Sequence, residues 1–218
     1  MCILVNINYD YIEEYIRSIL KGGYGELSRL RDYANNNNIP IISPEVEQFI
    51  RILLKVSDAK NILELGTAIG YSALIMAEAA NPDAKITTIE VRDDMYEMAK
   101  ENISANKYSK RIRLIKGDAK EVVPKLNERY DFVFLDAAKG HYLGFFKDCI
   151  KKLNYGGIVV SDNVLYRGMV AKDELINKRD KTIVRRMRNY LDYISNLDGY
   201  ITSVIPLCDG VALTYKEG

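Results

Sequence analysis

The feature that most constrains the fold is the stretch ILELGTAIGYS at residues 62–72. A mostly apolar run ends at Gly66, and an apolar segment rich in helix-forming residues follows Gly70. This order predicts a buried parallel strand, then a glycine turn, then a helix. In α/β sheets, such a turn is where an anionic or nucleotide-like ligand binds.

The turn departs from the dinucleotide-binding fingerprint G-x-G-x-x-G at one position. The middle glycine of that fingerprint lets the backbone approach a pyrophosphate, and Ala68 replaces it here. Glu90 ends the next apolar run, where a carboxylate could accept hydrogen bonds from both ribose hydroxyls. Spaced glycines also serve close packing, but the strand, the helix and the acid together favour a ligand that has a nucleoside and no pyrophosphate.

Composition limits the class of protein. With 218 residues, of which 48% are hydrophobic and 28% charged, the chain can form one domain with a full core. The net charge of +1 means that any nucleic-acid contact needs a local basic patch. Cys2, Cys149 and Cys208 are widely spaced, which argues against a disulfide framework or a zinc site and suits a reducing cytoplasm. The apolar start, 1–5, is too short for a signal peptide or a membrane span, so we expect no membrane association.

The order of predicted elements indicates an α/β fold. Residues 1–58 are interpreted as an N-terminal helical extension and 59–218 as the α/β core of a single domain. In the extension, helices are predicted at about 11–20 and 24–34, and a third begins after Ser43, with Pro44 at its first position. In the core, strands are predicted at 61–65, 85–90, 111–116, 130–135 and 156–161, and helices at 93–105, 139–153 and 172–195. A final hairpin, 200–205 with 211–215, closes this doubly wound parallel sheet.

Acidic residues follow the predicted strands. The carboxyl ends of parallel strands share one edge of the sheet, where ligands bind. Four strands bring a carboxylate to that edge: Glu90, Asp118, Asp136 and Asp162. Asp118 could equally cap the helix that follows it, although its edge position favours a contact with the cofactor base.

Asp136, Asp162 and Asn163 indicate a metal site. They offer two carboxylates and an amide oxygen on adjacent strand ends, a donor set that suits Mg²⁺, although Asp162 and Asn163 also favour turns. Lys139 is predicted at a helix start, where the helix dipole disfavours a cation and so favours the neutral amine that could act as a base. His141, the only histidine, is a second candidate for the base, although we prefer to interpret it as a surface residue.

These motifs resemble a known family. The strand and turn 64–70 with the acid-tipped strand resemble the cofactor motif of S-adenosylmethionine-dependent methyltransferases. The string DAAK at 136–139, with Asp162 and Asn163, resembles the metal-dependent O-methyltransferases of the catechol and caffeoyl-CoA type, over nearly the whole chain. The fuller strings are most similar to the bacterial branch that methylates 5-hydroxyuridine in tRNA; they are GTAIGYS at 66–72, DAAKG at 136–140 and DNVLYRG at 162–168.

The resemblance implies a fold, a site and an assembly. The fold is a Rossmann-like methyltransferase with a mostly parallel seven-stranded sheet, a C-terminal antiparallel hairpin and N-terminal helices, usually a homodimer. S-adenosyl-L-methionine is expected to contact Ile42, Ser72, Glu90, Asp118, Ala119 and Asp136, and the predicted cofactor site also includes Glu64, Gly66 and Gly70 of the turn motif. Mg²⁺ is expected at Asp136, Asp162 and Asn163. Lys139 and Asp136 are the predicted catalytic residues.

The substrate stays open between two classes. A catechol or phenylpropanoid offers two neighbouring oxygens, and so does 5-hydroxyuridine. Residues 172–188 carry seven basic and three acidic side chains. They form either a solvated helix face or a surface on which Arg185, Arg186 and Arg188 contact the phosphates of a tRNA anticodon loop. We take wobble 5-hydroxyuridine of tRNA as the leading hypothesis and a small phenolic molecule as the second. Ala68 argues against a nicotinamide-dependent oxidoreductase, and Lys139 beside Asp136 argues against a noncatalytic binding protein.

Overall fold

The structure is a computed structural model that describes residues 7–20 and 25–218. The apolar start at 1–5, Cys2 and the first residue of the helix predicted at 24–34 lie outside the described residues. Three N-terminal helices are present: α1, Asp10–Ile19; α2, Glu26–Asn36; and α3, Pro44–Ser57. The predicted start of α3 is confirmed, because the Ser43 hydroxyl accepts a hydrogen bond from the Val46 amide at 3.3 Å.

Seven strands form one sheet. They are β1, Asn61–Leu65; β2, Lys85–Glu90; β3, Ile112–Lys116; β4, Tyr130–Leu135; β5, Leu153–Ser161; β6, Tyr200–Ile205; and β7, Val211–Lys216, in the order β3-β2-β1-β4-β5-β7-β6. The first five are parallel, whereas β7 runs antiparallel to both β5 and β6. This confirms the predicted seven-stranded sheet with its hairpin. The strand order reverses between β1 and β4, which is where α/β folds bind ligands.

Helices cover both faces of the sheet. They are α4, Tyr71–Ala79; α5, Asp93–Ala105; α6, Ala119–Val122; α7, Tyr142–Ile150; and α8, Lys181–Ser195. One buried apolar cluster joins α2, α3, α4 and α5 to the sheet, and a second joins α6, α7 and α8 to the opposite face. Of the N-terminal helices, α2 and α3 therefore share a core with the sheet, whereas α1 has no buried residue. Within the described residues, no helix is both long enough and apolar enough to span a membrane.

Two of the predicted helices were too long. The segment predicted as 139–153 divides into a 3-10 turn, Lys139–His141, and α7. The helix α7 ends at Ile150, because the chain must leave it before Leu153 pairs with Tyr130 at the start of β5. The helix predicted at 172–195 begins only at Lys181.

Local side-chain hydrogen bonds explain the late start of α8. The Asn177 amide nitrogen donates to one carboxylate oxygen of Asp180 at 3.2 Å, and the Tyr166 hydroxyl donates to the other at 2.9 Å. Such bonds offer the chain an alternative to helix formation. Residues 172–180 therefore form a loop with a single 3-10 turn, Asp173–Leu175.

Candidate active site

A cavity of about 730 Å³ opens at the carboxyl edge of the sheet, beside the ends of β1 and β4. Ten of the twelve predicted site residues line it: Ile42, Gly66, Ser72, Glu90, Asp118, Ala119, Asp136, Lys139, Asp162 and Asn163. Glu64 and Gly70 lie outside its wall. The sheet topology thus brings to one place residues that are spread over more than a hundred positions of the sequence.

Gly66 brings the ends of β1 and β4 into backbone contact. Its φ of +94° lies in the left-handed region, and a Cβ added there would overlap the carbonyl oxygen of Asp136. The Asp136 amide donates to the carbonyl of Leu65 at 2.9 Å, which fixes the same approach. Gly70, with a φ of +86°, faces Ile103 of α5 and shapes the turn from behind.

Glu90 holds the glycine turn against the tip of β2. One carboxylate oxygen accepts a hydrogen bond from the amide of Ala68 at 2.9 Å, and the other accepts one from the amide of Arg92 at 2.8 Å. Each oxygen of an ionised carboxylate has a further lone pair. The buried carboxylate therefore lines the cavity with acceptor capacity left for hydroxyl groups of a ligand.

Glu64 lies fully buried on β1, behind the cavity wall. Its Oε2 accepts a hydrogen bond from the Thr88 hydroxyl at 2.5 Å, whereas Oε1 has no hydrogen-bond partner among the described residues. Burial raises the pKa of Glu64 to about 7, against the opposing effect of hydrogen bonds from Ser72 and Thr88. Since Glu64 has no exposed surface and does not line the cavity, its predicted contact with the cofactor stays a prediction.

The predicted helix cap at Asp118 is confirmed, whereas its contact with the cofactor base stays a prediction. Its side chain caps α6 by accepting from the Lys120 amide at 2.9 Å, and it also lines the cavity. Ala119 follows it on the same wall, and Ile42 lines the cavity from the segment before α3. Asp118 can therefore offer its second oxygen to a ligand without giving up the cap.

Asp136, which is half-buried, and Asp162, which is buried, form an acidic pair at the ends of β4 and β5. Burial raises the pKa of Asp162, and the neighbouring Asp136 charge raises it further. Burial also raises the pKa of Asp136, while the Lys139 ammonium opposes that shift. Two carboxylates held this way repel each other, and a dication would neutralise both. With the Asn163 amide oxygen beside them, the donor set fits a hard cation such as Mg²⁺.

Lys139 bonds Asn163, and its charge acts on both carboxylates of the acidic pair. Its Nζ donates a hydrogen bond to Asn163 Oδ1 at 2.8 Å. Asn163 adopts a φ of 55°, a left-handed conformation that asparagine tolerates better than most residues. The amide oxygen has a second lone pair, so it can meet the lysine and a cation together.

Asp209 is a site residue that the sequence analysis missed. It lines the cavity at the turn between β6 and β7, and its carboxylate accepts a hydrogen bond from the Arg167 amide. Burial raises the pKa of Asp209. In the sequence, Asp209 and Gly210 together indicate only the turn of the predicted hairpin. Only the pairing of β7 with β5 shows that this turn lies at the carboxyl edge.

The histidine and the basic stretch differ from their predictions. His141 was interpreted as a surface residue, but it is half-buried and lines the cavity, with its Nε2 3.4 Å from Lys120 Nζ. Burial lowers the pKa of His141, and the nearby Lys120 and Arg186 charges lower it further. Arg186 donates to the Gly140 carbonyl at 3.2 Å, on the same side of the cavity. We call Lys120, His141 and Arg186 the basic rim.

Arg188 does not belong to the basic rim. It donates to the carbonyl of Val170 at 2.9 Å and forms an ion pair with Asp173 at 2.6 Å, so it holds the loop before α8. Arg185 is exposed on α8. The three arginines that were expected to act together, Arg185, Arg186 and Arg188, therefore lie in different surroundings.

Comparison with known proteins places the chain in a family. The O-methyltransferase family matches residues 24–217. Caffeoyl-CoA O-methyltransferase 3 from Nicotiana tabacum is 31% identical over 189 residues, covering 81% of this chain and 76% of the tobacco protein. A structure from Staphylococcus aureus, provisionally named a caffeoyl-CoA O-methyltransferase, has a TM-score of 0.89 at 32% identity, covering 95% of this chain and 100% of that one. An O-methyltransferase from Bacillus cereus was solved in complex with SAH. It has a TM-score of 0.83 at 23% identity, covering 95% of this chain and 97% of its own. At that identity it supports the fold alone.

These matches first define the class. The fold is the Rossmann-like fold of S-adenosylmethionine-dependent methyltransferases, with helices on both faces of a seven-stranded mixed sheet. The chain belongs to the O-methyltransferase family, and its curated relatives are caffeoyl-CoA O-methyltransferases. The family-level resemblance found in the sequence is thereby confirmed.

Proposed function

We propose that the chain transfers a methyl group from S-adenosyl-L-methionine, with the help of Mg²⁺, to the 5-hydroxyl of 5-hydroxyuridine at the wobble position of tRNA, giving 5-methoxyuridine. The observation that carries the proposal is the single cavity that joins a nucleoside-type site at Glu90 to a cluster of oxygen donors at Asp136, Asp162 and Asn163. Lys139 lies within that cluster.

The methyl donor fits the cofactor half of the cavity. Glu90 offers acceptors for the ribose hydroxyls, and Asp118 offers one for the base. When bound, S-adenosyl-L-methionine supplies an activated methyl group on its sulfonium. The Bacillus cereus protein of the same fold was solved with SAH, which also supports this choice.

The first prediction concerns this half. Glu90→Ala is expected to weaken cofactor binding by about 1.5–3 kcal/mol, the scale of hydrogen bonds to a charged group, since the ribose would lose its acceptors. Titration calorimetry with S-adenosyl-L-methionine measures the change. Glu97→Ala removes an exposed acid from α5 and should leave the affinity unchanged. An unchanged affinity in folded Glu90→Ala would remove Glu90 from the binding site.

The other half of the cavity activates the acceptor oxygen. Asp136, Asp162 and Asn163 would hold Mg²⁺, whose positive charge, when bound, stabilises a neighbouring oxyanion. As the neutral amine, Lys139 Nζ would accept the proton of the substrate hydroxyl. The resulting oxyanion bonds to the methyl carbon as the bond from that carbon to sulfur breaks, and S-adenosylhomocysteine leaves. Burial of Asp162 keeps water away from its charge and makes its attraction for a cation stronger.

Two substrate classes present the required pair of oxygens. The basic rim supports tRNA, because exposed cations beside the cavity would meet phosphates next to the reacting base. The tobacco relative, a caffeoyl-CoA O-methyltransferase at 31% identity, favours the second candidate, a phenylpropanoid or catechol.

The second prediction separates these candidates. The double variant Lys120→Ala/Arg186→Ala is expected to raise the KM for 5-hydroxyuridine-containing tRNA, since phosphates would lose their counter-charges. The dependence of log affinity on log salt should become shallower by about 0.7–0.9 for each phosphate that the variant no longer neutralises. Methylation of the free nucleoside should hardly change. Initial rates across a salt series measure the KM for tRNA, its salt dependence and the methylation of the free nucleoside.

A matched control and two contrary outcomes complete the test. Lys85→Ala/Lys151→Ala removes the same charge from exposed positions at the other edge of the sheet and should leave the KM for tRNA as it was. Equal reductions on tRNA and on the nucleoside would make the rim structural. A wild-type chain that methylates a catechol but no hydroxylated tRNA would establish the second candidate.

A further inference from the structure

Tyr142 joins the two strand ends that carry the acidic pair. It is the first residue of α7 and is fully buried. Its hydroxyl lies 2.9 Å from the carbonyl oxygen of Asp162 and 3.2 Å from that of Leu135. Leu135 is the last residue of β4 and directly precedes Asp136. A single phenol group therefore spans the backbones from which both carboxylates project.

The strands alone fix this separation only in part. The regular pairing of β4 with β5 runs from Phe132 with Ile158 to Leu135 with Ser161, and the register shifts nearer the start of the strands. Asp136 and Asp162 lie one residue beyond the last pair, held by the bond from the Asp162 amide to the Leu135 carbonyl at 3.0 Å. The hydroxyl of Tyr142 adds a second hydrogen-bonded link at that point, through the carbonyls of Leu135 and Asp162.

The same residue anchors the segment that carries Lys139. The chain runs from Asp136 through the 3-10 turn Lys139–His141 to Tyr142, so the hydroxyl brings the end of this segment back to its beginning. The ring packs edge-to-face on Tyr190 of α8, with centroids 5.6 Å apart, which restricts its orientation. The link therefore constrains Asp136, Asp162 and Lys139 together.

We infer that Tyr142 is a positioning residue that sets the separation of Asp136 and Asp162 for cation binding, an inference that rests on the metal-dependent function proposed above. The hydroxyl touches neither carboxylate side chain. It acts through the two backbone carbonyls, as outer groups around metal ligands commonly do.

Tyr142→Phe tests the inference, with Tyr190→Phe as its matched control. Both changes remove one hydroxyl from a fully buried tyrosine of the same aromatic cluster, but Tyr190 bonds the Ser161 side chain, at 2.6 Å, rather than a strand-end carbonyl. We expect Tyr142→Phe to raise the dissociation constant for Mn²⁺ by about 10-fold, the lower end of the effect of such outer groups. Tyr190→Phe should leave it within about twofold. Electron paramagnetic resonance of bound Mn²⁺ measures both the affinity and the geometry of the site.

Each outcome decides the inference. Equal Mn²⁺ affinities in all three proteins, or equal weakening in both variants, would overturn it and leave the proposed function standing. A wild-type chain that binds no Mn²⁺ would remove the metal-dependent function and the inference with it. If Tyr142→Phe does not fold alone, it is made together with Gly144→Ala on the same helix, where an added Cβ meets no atom within 4 Å, and compared with Gly144→Ala by itself.

Discussion

Asp162→Ala is expected to reduce the rate of methyl transfer by about 100-fold or more, the scale of removing one preorganised electrostatic interaction at a reacting oxygen. Its carboxylate and that of Asp136 form the charged part of the oxygen-donor cluster, and neither Asn163 nor Lys139 can replace its negative charge. Binding of S-adenosyl-L-methionine should change little, because Asp162 lies in the acceptor half of the cavity. Steady-state rates and calorimetry measure the two effects separately.

The chelator experiment belongs to the same prediction. Excess chelator should abolish methyl transfer by the wild-type chain and added Mg²⁺ should restore it, whereas Asp162→Ala should gain little from Mg²⁺. Removal of a buried charge that Asp136 repels should not lower the Tm measured in chelator, which distinguishes a defect in chemistry from a defect in folding. Asp83→Ala, at an exposed acid on the opposite edge of the sheet, is the control. Full wild-type activity in excess chelator would falsify the metal-assisted mechanism.

Gly66→Ala is expected to lower the free energy of unfolding by about 2–5 kcal/mol. A left-handed conformation costs an L-residue about 1–2 kcal/mol, and overpacking costs about 1–3 kcal/mol. Here the added Cβ would overlap a backbone oxygen of Asp136, which cannot rotate away as a flexible side chain could. The expected decrease is a large share of the stability of an ordinary domain. Urea unfolding measures it.

Gly144→Ala is the matched control for that variant. Gly144 lies in α7, and an added Cβ there meets no atom within 4 Å. The change should raise the free energy of unfolding by about 0.5–1 kcal/mol, since alanine favours the helix and glycine does not. Similar effects at both positions would mean that the contact between β1 and β4 is not what requires Gly66.

The sequence predicted most of the fold because the relevant signals are local. The strand, turn and helix around Gly66 and the capped start of α3 each depend on neighbours within a few residues. The same holds for the acids at the strand ends, once the strands are known to be parallel. Ten predicted site residues therefore line one cavity. Their individual roles stay predictions.

The errors have physical causes that a local pattern does not contain. The late start of α8 depends on Tyr166, which reaches Asp180 across a loop. Arg188 was counted with a basic surface, yet it bonds carbonyls of a distant turn. Asp209 enters the site only because β7 pairs with β5. Each of these contacts joins residues that the sequence separates, so composition and periodicity could not reveal them.

The position of β7 bears on the order in which the molecule folds. β7 follows β6 along the chain yet lies between β5 and β6 in the sheet, so β6 cannot join the sheet until β7 is in place. During synthesis the amino-terminal part of a chain emerges and folds first, and this hairpin emerges after β1 to β5. The cofactor half of the cavity depends mainly on β1, β2 and β4 and can form earlier. Asp209 reaches the cavity only when the hairpin joins the sheet. A newly made chain can therefore form the cofactor half of its cavity before Asp209 lies beside Asp136 and Asp162.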